Sequence, residues 1–536
     1  MKYLNKTIIA AVACTFLLIT SCDMERSPLD QFSTTTFWDS PDNAELALTG
    51  CYKASNVYNS HGFVRDWWAY NGMIFMDFAS DNAYDRRGDN SGYFRMVNGT
   101  LQSNNAHVAD YWKVSYAKIS RCNIFLDGME TNYTGDAAKG TQWIGEARFI
   151  RATQYFYLSQ YFQDVPLVTK PFEDTQDANN VVLSSKAEIV TFVIDELKKS
   201  VEELASYSVE GRAHANKQAA LAFLGRMYLA EKRFAEAAEV YKQIIDMGEN
   251  DIDPDYASIF TDENEASTEN IFSSQYLQDL AGSALPQHCW PAQDGGWCIM
   301  CPSGDLFESY QFTDGTDFDF NSPLYDSSNL TKNRDPRLGY TLITNKSMFR
   351  GKEYICDPDA KTSDRVMGGQ TTQTGFLMRK FSNESYSGNM QRYGGDVPVI
   401  RYAEVLLSYL EAKLEAGDAI TQDLLDATIN KVRGRASVNM PPITETNPSL
   451  LRPILRNERR VEMALEGTRL WDLFRWHTAA EELNGDVWGC PFPDAVRKSN
   501  KEDVYGRWYV SSRQFRESDY KWPIPQTEQD INPNLR

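Results

Sequence analysis

Two neighbouring segments, 216–231 (NKQAALAFLGRMYLAE) and 233–247 (RFAEAAEVYKQIIDM), decide the fold class of this chain. Apolar residues recur at helical spacing in both, so each segment predicts a helix. The spacing is typical of a tetratricopeptide helix pair. Leu221 stands at the position of a large residue, and Leu224-Gly225 is the Leu-Gly pair. Tyr228, Ala237 and Tyr241 stand at the Tyr, Ala and aromatic positions. Small residues let two antiparallel helices approach closely, and aromatic rings fill the groove between them. The match is partial, because Leu221 replaces the usual Trp and the final Pro is missing.

Helical periodicity extends outward from this pair in both directions. The predicted helices are 41–52, 108–129, 141–162, 186–205, and, more loosely, 401–416 and 423–436, with helical pattern continuing to His477. Three stretches show little helical periodicity of apolar residues and are predicted to form loops: 76–107, 250–400 and 478–536. We therefore predict a mainly α fold, in which tetratricopeptide-like helix pairs form a scaffold and a large loop-rich, irregular part binds a ligand.

The N-terminus has the pattern of a secretory signal peptide. Lys2 and Lys6 precede a short apolar run, 8–19, which ends at Thr20, Ser21 and Cys22. This junction resembles the lipobox of bacterial lipoproteins, in which the cysteine thiol is acylated. The alternative is an ordinary signal peptide in which Cys22 is incidental. We predict a signal peptide over 1–21, a lipid-anchored tether over 22–36 and one domain over 37–536.

Charge and cysteine content exclude several functional classes. The chain has 74 acidic and 54 basic residues among 536, a formal net charge of −20, which disfavours nucleic acid as a partner. Without Cys14 and Cys22, seven of the nine cysteines remain, too few for a disulfide framework. Cys289, Cys298 and Cys301 form a cluster with one CxxC spacing. Buried thiols or one optional disulfide are favoured there over zinc, and the disulfide status stays open.

Catalytic and metal-binding motifs receive little support. HExxH, GxSxG, P-loop and GxGxxG patterns are missing, and the five histidines are isolated in the sequence. Residues 317–321 (DFDFN) begin like a calcium loop, but Ser322 and Ser328 stand where that loop needs Gly and Glu. We therefore predict no cofactor and no resident metal, with a bound calcium left as an alternative.

The charged segment 456–476 (RNERRVEMALEGTRLWDLFRW) invites a catalytic interpretation, but its spacing indicates a structural role. Glu466 and Arg469, and likewise Asp472 and Arg475, are i,i+3 partners if the segment is one helix. We predict a structural ion-pair network rather than an acid–base pair.

This segment and six others, in order, resemble the SusD-like (RagB/SusD) nutrient-binding outer-membrane lipoproteins of Bacteroidetes. The others are 36–38 (TFW) with 47–52 (ALTGCY), 145–156 (GEARFIRATQYF), 164–167 (DVPL), 398–407 (PVIRYAEVLL), 522–525 (WPIP) and 532–533 (NP). The resemblance implies a mostly helical lid without catalytic activity, above a TonB-dependent, SusC-like barrel transporter to which it passes a glycan or sometimes a peptide. It also implies an outer-membrane location facing the cell exterior, to which the acidic residues Asp23 and Glu25 add loose support. Family members often continue past the Asn-Pro segment, whereas this chain stops at Arg536.

Sugar binding requires aromatic faces for the pyranose ring and planar polar groups for its hydroxyls. Two loops that offer both, and that the resemblance places on the ligand face, are 77–94 (DFASDNAYDRRGDNSGYF) and 288–301 (HCWPAQDGGWCIMC). Their candidate ligand-binding residues are Asp81, Asn82, Tyr84, Arg86, Tyr93, Trp290, Asp294 and Trp297. The alternative is that each aromatic ring packs its own loop. We predict a glycan-binding surface lipoprotein; a peptide-binding member of the same architecture and a lipid-anchored polysaccharide hydrolase are the alternatives.

Overall fold

The computed structural model describes residues 37–38, 40–53, 65–209, 211–366 and 370–536. The predicted signal peptide, the lipidation of Cys22 and the tether over 22–36 lie outside these described residues. Within the described ranges, no helix combines the length and apolar character needed to cross a bilayer.

The described part of the chain contains nine helices of eight residues or more, which confirms a mainly α fold. They are α1 (Pro41–Tyr52), α2 (Ala106–Thr131), α3 (Ala137–Tyr161), α4 (Lys186–Glu203), α5 (Lys217–Ala230), α6 (Phe234–Met247), α7 (Tyr402–Glu415), α8 (Pro448–Glu462) and α9 (Arg469–Trp476). The prediction of each helix before residue 250 is confirmed to within a few residues. Side-chain caps fix several starts; for example, Asp136 accepts a 2.8 Å hydrogen bond from the Lys139 N–H at the start of α3.

Helices α3 to α7 pack on one another in succession and form the scaffold. In the α5–α6 pair, a Cβ added to Gly225 would lie 2.4 Å from Cζ of Tyr241, which is 1% exposed. Ala237 is fully buried in the same contact region. The tetratricopeptide-like pairing inferred from these residue types is thus confirmed. The predicted helix over 423–436 is interrupted at Thr428 and forms two short helices, Gln422–Ala427 and Ile429–Arg433.

The prediction that 456–476 forms one helix is wrong. Helix α8 ends at Glu462 and α9 begins at Arg469, and between them Leu465 and Gly467 have φ values of 61° and 78°. A Cβ on Gly467 would lie 1.9 Å from the carbonyl oxygen of Met73, so only glycine fits this turn. The turn redirects the chain and changes which charged residues meet.

Regular elements are short in the loop-rich region 250–400, none exceeding six residues in its described part. Besides the two short helices named above, the described residues form Tyr70–Met73, Thr175–Ala178, Leu285–Cys289, Gly304–Ser309, Pro336–Thr341, Ala479–Glu482 and Gln526–Ile531. The 3-10 segments are Ile74–Ala79, Phe94–Met96, Ser258–Phe260, Ala292–Asp294, Glu517–Tyr520 and Pro533–Leu535.

Ten strands in the described residues form five antiparallel two-stranded sheets. The strands are β1 (Ala83–Asp85), β2 (Asn270–Ser274), β3 (Met300–Pro302), β4 (Leu342–Ile343), β5 (Met348–Phe349), β6 (Lys352–Glu353), β7 (Leu377–Met378), β8 (Val397–Arg401), β9 (Asn484–Pro491) and β10 (Arg507–Gln514). The pairs are β1–β3, β2–β8, β4–β7, β5–β6 and β9–β10. The prediction of loops throughout 478–536 is wrong, because β9 and β10 form a hairpin of two eight-residue strands.

We expect Gly225→Ala to lower the free energy of unfolding by about 1–3 kcal/mol, because the methyl group would overlap the buried Tyr241 ring. Gly50→Ala in α1 is the control, since a Cβ there meets nothing within 4 Å. Alanine's higher helix propensity should make that variant equal to or up to about 1 kcal/mol more stable than the unmodified protein. Urea denaturation followed by circular dichroism measures both, and equal stability of the two variants would contradict the close contact.

Candidate functional site

The structure joins the two sequence-predicted loops. Strand β1 of the first loop pairs with β3, at the end of the second, with Tyr84 opposite Cys301. Two hydrogen bonds extend this pairing: the Arg86 N–H donates to the Ile299 carbonyl at 3.1 Å, and the Ser303 N–H donates to the Asn82 carbonyl at 2.9 Å. The loops therefore form one unit, although residues 95–287 separate them along the chain.

A residue that binds a glycan is expected at the surface, but five of the eight predicted residues are buried. Asp81, Asn82, Tyr84, Tyr93 and Trp290 are each at most 4% exposed. Their polar groups are used internally: the Tyr93 hydroxyl donates to the Asn71 carbonyl at 2.6 Å, and the Trp290 indole N–H donates to the Ser382 hydroxyl at 3.1 Å. The rings fill the space beneath the loops, because large apolar faces are stabilised by burial.

The other three predicted residues, Arg86, Asp294 and Trp297, are half-buried. The Asp294 carboxylate forms an ion pair with Lys352 at 2.8 Å, and the Trp297 ring packs 5.2 Å from that of His288. Contact between any of the eight residues and a ligand stays a prediction.

Asp81 forms a buried ion pair rather than an exposed polar contact. Nε and Nη2 of Arg469 each donate to its carboxylate at 2.8 Å, and Arg460 approaches to 2.9 Å. Burial alone would raise the pKa of Asp81, but the charges of Arg460 and Arg469 outweigh it and hold that pKa below its ordinary range. The prediction that Arg469 pairs with Glu466 is therefore wrong, because the turn before α9 points the two side chains to different partners.

Most of the remaining charges of segment 456–476 belong to a buried network. Glu466 accepts from Lys380 at 2.6 Å and from Arg401 at 2.7 Å. The predicted pair of Asp472 with Arg475 is confirmed at 2.8 Å. These groups are almost entirely shielded from solvent. The structural interpretation of the segment is confirmed, because these charges are paired with one another in the interior.

An aromatic strip, consisting of Phe320, Trp488, Tyr505 and Tyr509, lies at the hairpin β9–β10, and all four residues are half-buried. The rings of Phe320 and Tyr505 stack with centroids 4.5 Å apart and planes inclined by 13°. The Trp488 and Tyr509 rings meet edge to face at 5.5 Å. The Arg507 guanidinium lies between the two pairs, 5.9 Å from Phe320 and 5.1 Å from Trp488.

Polar groups border the aromatic strip. The Asn321 amide donates to the Tyr505 hydroxyl at 3.0 Å, and Lys501 forms an ion pair with Asp486. Asp89 accepts from the Ser511 hydroxyl of β10 at 2.7 Å, which attaches the first predicted loop to the hairpin. The strip is not among the predicted sites, because loops are predicted throughout 478–536. The aromatic and β-branched residues of 507–514 (RWYVSSRQ) were the available signal.

A pocket of about 540 Å³, here called the 361–371 pocket, opens beside the second predicted loop. Its lining residues are Ala292, Lys361, Thr362, Ser363, Arg365, Gln370 and Thr371. The Asp364 carboxylate accepts from the backbone N–H groups of Ala292 at 2.6 Å and Gln293 at 3.2 Å, which fixes that loop against the pocket. Burial raises the pKa of Asp364 despite these two hydrogen bonds.

The cysteine cluster consists of buried free thiols at Cys289, Cys298 and Cys301. Burial raises the pKa of all three, for Cys301 to about 11, so these groups are poor nucleophiles and poor metal ligands at neutral pH. Across the described residues, no group of three or more His, Cys, Asp or Glu side chains is arranged to hold a metal ion. In segment 317–321, which begins like a calcium loop, the Asp319 carboxylate accepts a hydrogen bond from the backbone N–H of Asn321 at 2.8 Å.

We expect Asp81→Asn to destabilise the protein by about 3–5 kcal/mol, because it leaves Arg460 and Arg469 buried with an uncompensated charge. Asp42→Asn, an exposed carboxylate in α1, is the control and should change stability by less than about 0.5 kcal/mol. Thermal unfolding measures both. Unchanged stability together with lost ligand affinity in Asp81→Asn would instead support the ligand contact predicted from the sequence.

Comparisons with known proteins agree with this architecture. The model of the SusD family matches residues 257–536, and a second model, described as starch-binding associating with outer membrane, matches residues 56–229. A SusD-like protein of Bacteroides ovatus is 25% identical over 575 residues, covering 98% of this chain and 93% of that protein.

Solved structures give the same result. A SusD-like carbohydrate binding protein of Bacteroides fragilis NCTC 9343 is 46% identical, with a TM-score of 0.90 over 94% of this chain and 100% of that chain. A laminarin binding SusD-like protein shares the fold at 20% identity, with a TM-score of 0.66 over 92% of this chain and 98% of that chain. Since the first family model alone spans more than half of the chain, this protein belongs to the SusD family.

Proposed function

We propose that this protein binds a glycan, with the aromatic strip as its principal contact surface. The observation that carries the proposal is the row of half-buried rings at Phe320, Tyr505, Trp488 and Tyr509, bordered by amide, carboxylate and guanidinium groups. Support also comes from the similar Bacteroides fragilis structure, which is that of a carbohydrate binding protein.

The chemistry of the strip suits a saccharide. The C–H faces of a pyranose ring are apolar and stack on aromatic rings, whereas its hydroxyls need planar hydrogen-bonding partners. Asn321 supplies an amide next to the rings, and the Glu308 and Asp503 carboxylates that pair with Arg507 supply acceptors. The hairpin holds Trp488 opposite Tyr509 by strand pairing, so this part of the surface is preformed and little ordering entropy opposes binding.

Under the same proposal, the protein acts as a lipid-anchored receptor without catalytic activity. The signal peptide over 1–21, the acylated Cys22 and the tether over 22–36 would hold the domain at the outer membrane, facing the exterior. A SusC-like, TonB-dependent transporter would receive the glycan. A tether of this length gives effective concentrations of about millimolar, so a modest interface with the transporter suffices.

We expect Trp488→Ala and Tyr505→Ala each to lower glycan affinity by about three- to tenfold, because each removes one stacking face. Phe172→Ala is the matched control, since Phe172 is 42% exposed and belongs to a different part of the chain. Affinity electrophoresis against a panel of polysaccharides identifies a ligand, and isothermal titration with that ligand measures the three variants.

Two other outcomes would replace the proposal. Binding of peptides instead of polysaccharides would favour the peptide-binding alternative, and release of reducing ends from a bound polysaccharide would favour a hydrolase. Full affinity in a Trp488→Ala/Tyr505→Ala double variant would remove the aromatic strip as the binding surface.

A further inference from the structure

The 361–371 pocket differs in charge from the rest of this acidic molecule. Acidic residues outnumber basic ones by 74 to 54 in the chain, yet the lining of this pocket includes Lys361 and Arg365 and no carboxylate. The other lining side chains are three hydroxyls, one amide and one methyl group. The local excess of positive charge therefore opposes the overall charge of the protein.

Neither cation of the pocket has a charged partner within the described ranges. No ion pair or side-chain hydrogen bond is formed there by Lys361 or by the half-buried Arg365. The neighbouring residues 367–369 (MGG) are uncharged and cannot supply a carboxylate. A half-buried guanidinium has lost part of its hydration, so an anion placed beside it would gain more than one beside a fully solvated charge.

Another cavity of similar volume shows the opposite arrangement. It is lined by Arg379, Lys380 and Glu384 among others, and its volume is also about 540 Å³. There Arg379 pairs with Glu384, and Lys380 pairs with Glu466. Two of the three lining cations of that cavity are thus paired with carboxylates, whereas the third, Arg334, donates to the backbone carbonyls of Phe307 and Tyr310. In the 361–371 pocket neither cation has such a partner among the described residues.

The walls of the pocket are fixed without using its cations. The Thr371 hydroxyl donates to the Arg365 carbonyl at 2.9 Å, and the Thr362 hydroxyl donates to the Ile355 carbonyl at 2.6 Å. Two carboxylates near the pocket accept from backbone N–H groups and do not line it. Asp364, which is 1% exposed, accepts from the 292–293 segment, and Asp359 accepts from Val496 and Arg497. The lining itself therefore carries two positive charges and no negative one.

The chain just before the pocket contacts the connecting segment 492–506 between β9 and β10, which also reaches the aromatic strip. The Asp359 carboxylate, two residues before Lys361, accepts from the backbone N–H groups of Val496 and, at 3.1 Å, Arg497. Farther along this segment, Lys501 lies 5.8 Å from the Trp488 ring and 5.9 Å from the Tyr509 ring.

We propose that the 361–371 pocket binds the anionic substituent of an acidic glycan, either a uronic acid carboxylate or a sulfate ester. This inference rests on the proposed glycan binding and specifies its ligand class. Lys361 and Arg365 provide charge-assisted hydrogen bonds to the anion, while Ser363 and Gln370 bind neighbouring hydroxyls.

Isothermal titration of the purified protein tests this assignment with three probes: polygalacturonate, which carries only carboxylates, dextran sulfate, which carries only sulfate esters, and neutral pullulan. We expect binding of at least one acidic probe, weakened by raising the salt concentration. The double variant Lys361→Gln/Arg365→Gln should bind that probe at least about tenfold more weakly, which is the loss expected from removing charged hydrogen-bond donors. Binding of polygalacturonate identifies the bound anion as a carboxylate, and binding of the sulfated probe identifies it as a sulfate ester.

The control is Lys198→Gln, an exposed lysine of α4, which should keep the affinity within about twofold. Undiminished binding of the acidic probe by the double variant would overturn the pocket assignment. Binding of pullulan alone, lost in Trp488→Ala, would overturn the inference while the proposed glycan binding stands. Failure of every polysaccharide to bind would overturn both.

Discussion

The buried carboxylate of Glu462 and its arginine partners are the interaction on which the rest of this structure depends. Glu462 is fully buried and accepts from Arg337 at 3.0 Å, Arg401 at 3.1 Å and Arg435 at 2.7 Å. Burial alone would raise the pKa of Glu462, but the arginines lower it to about 2. Such ions cost several kcal/mol to desolvate and are tolerated only when every partner is in place. The network therefore constrains all the segments that supply its members.

That constraint explains how a long irregular region keeps a defined shape. Residues 250–400 contain only short regular elements, so their backbone cannot be held by helix or sheet hydrogen bonds alone. Arg337 lies within this region, and Arg401 ends β8 just after it. Fixing these charges against α8 attaches the irregular region to the helical scaffold. The loops that border the aromatic strip and the 361–371 pocket can then present side chains from a rigid support.

The sequence predicts contacts between residues that are close along the chain better than contacts between distant residues. The α5–α6 pair was predictable, because its helices follow local periodicity and Gly225 marks the close approach. The predicted pair of Glu466 with Arg469 was wrong, because Gly467 ends the helical spacing between them. Strand pairing joins the two candidate loops, but Tyr84 and Trp290 are buried, since composition alone does not show which face of a loop meets the core.

By itself, the sequence determined the mainly helical class, the position of the scaffold pair and the extent of the loop-rich region. Each follows from residues a few positions apart, whose relation is set by helix geometry. Only the tertiary structure decided the partners of the buried charges and the placement of the aromatic strip. Asp81 and Arg469 are 388 positions apart, and Phe320 stacks on Tyr505 across a similarly nonlocal contact. No local spacing encodes such pairs, because they exist only after the chain has packed.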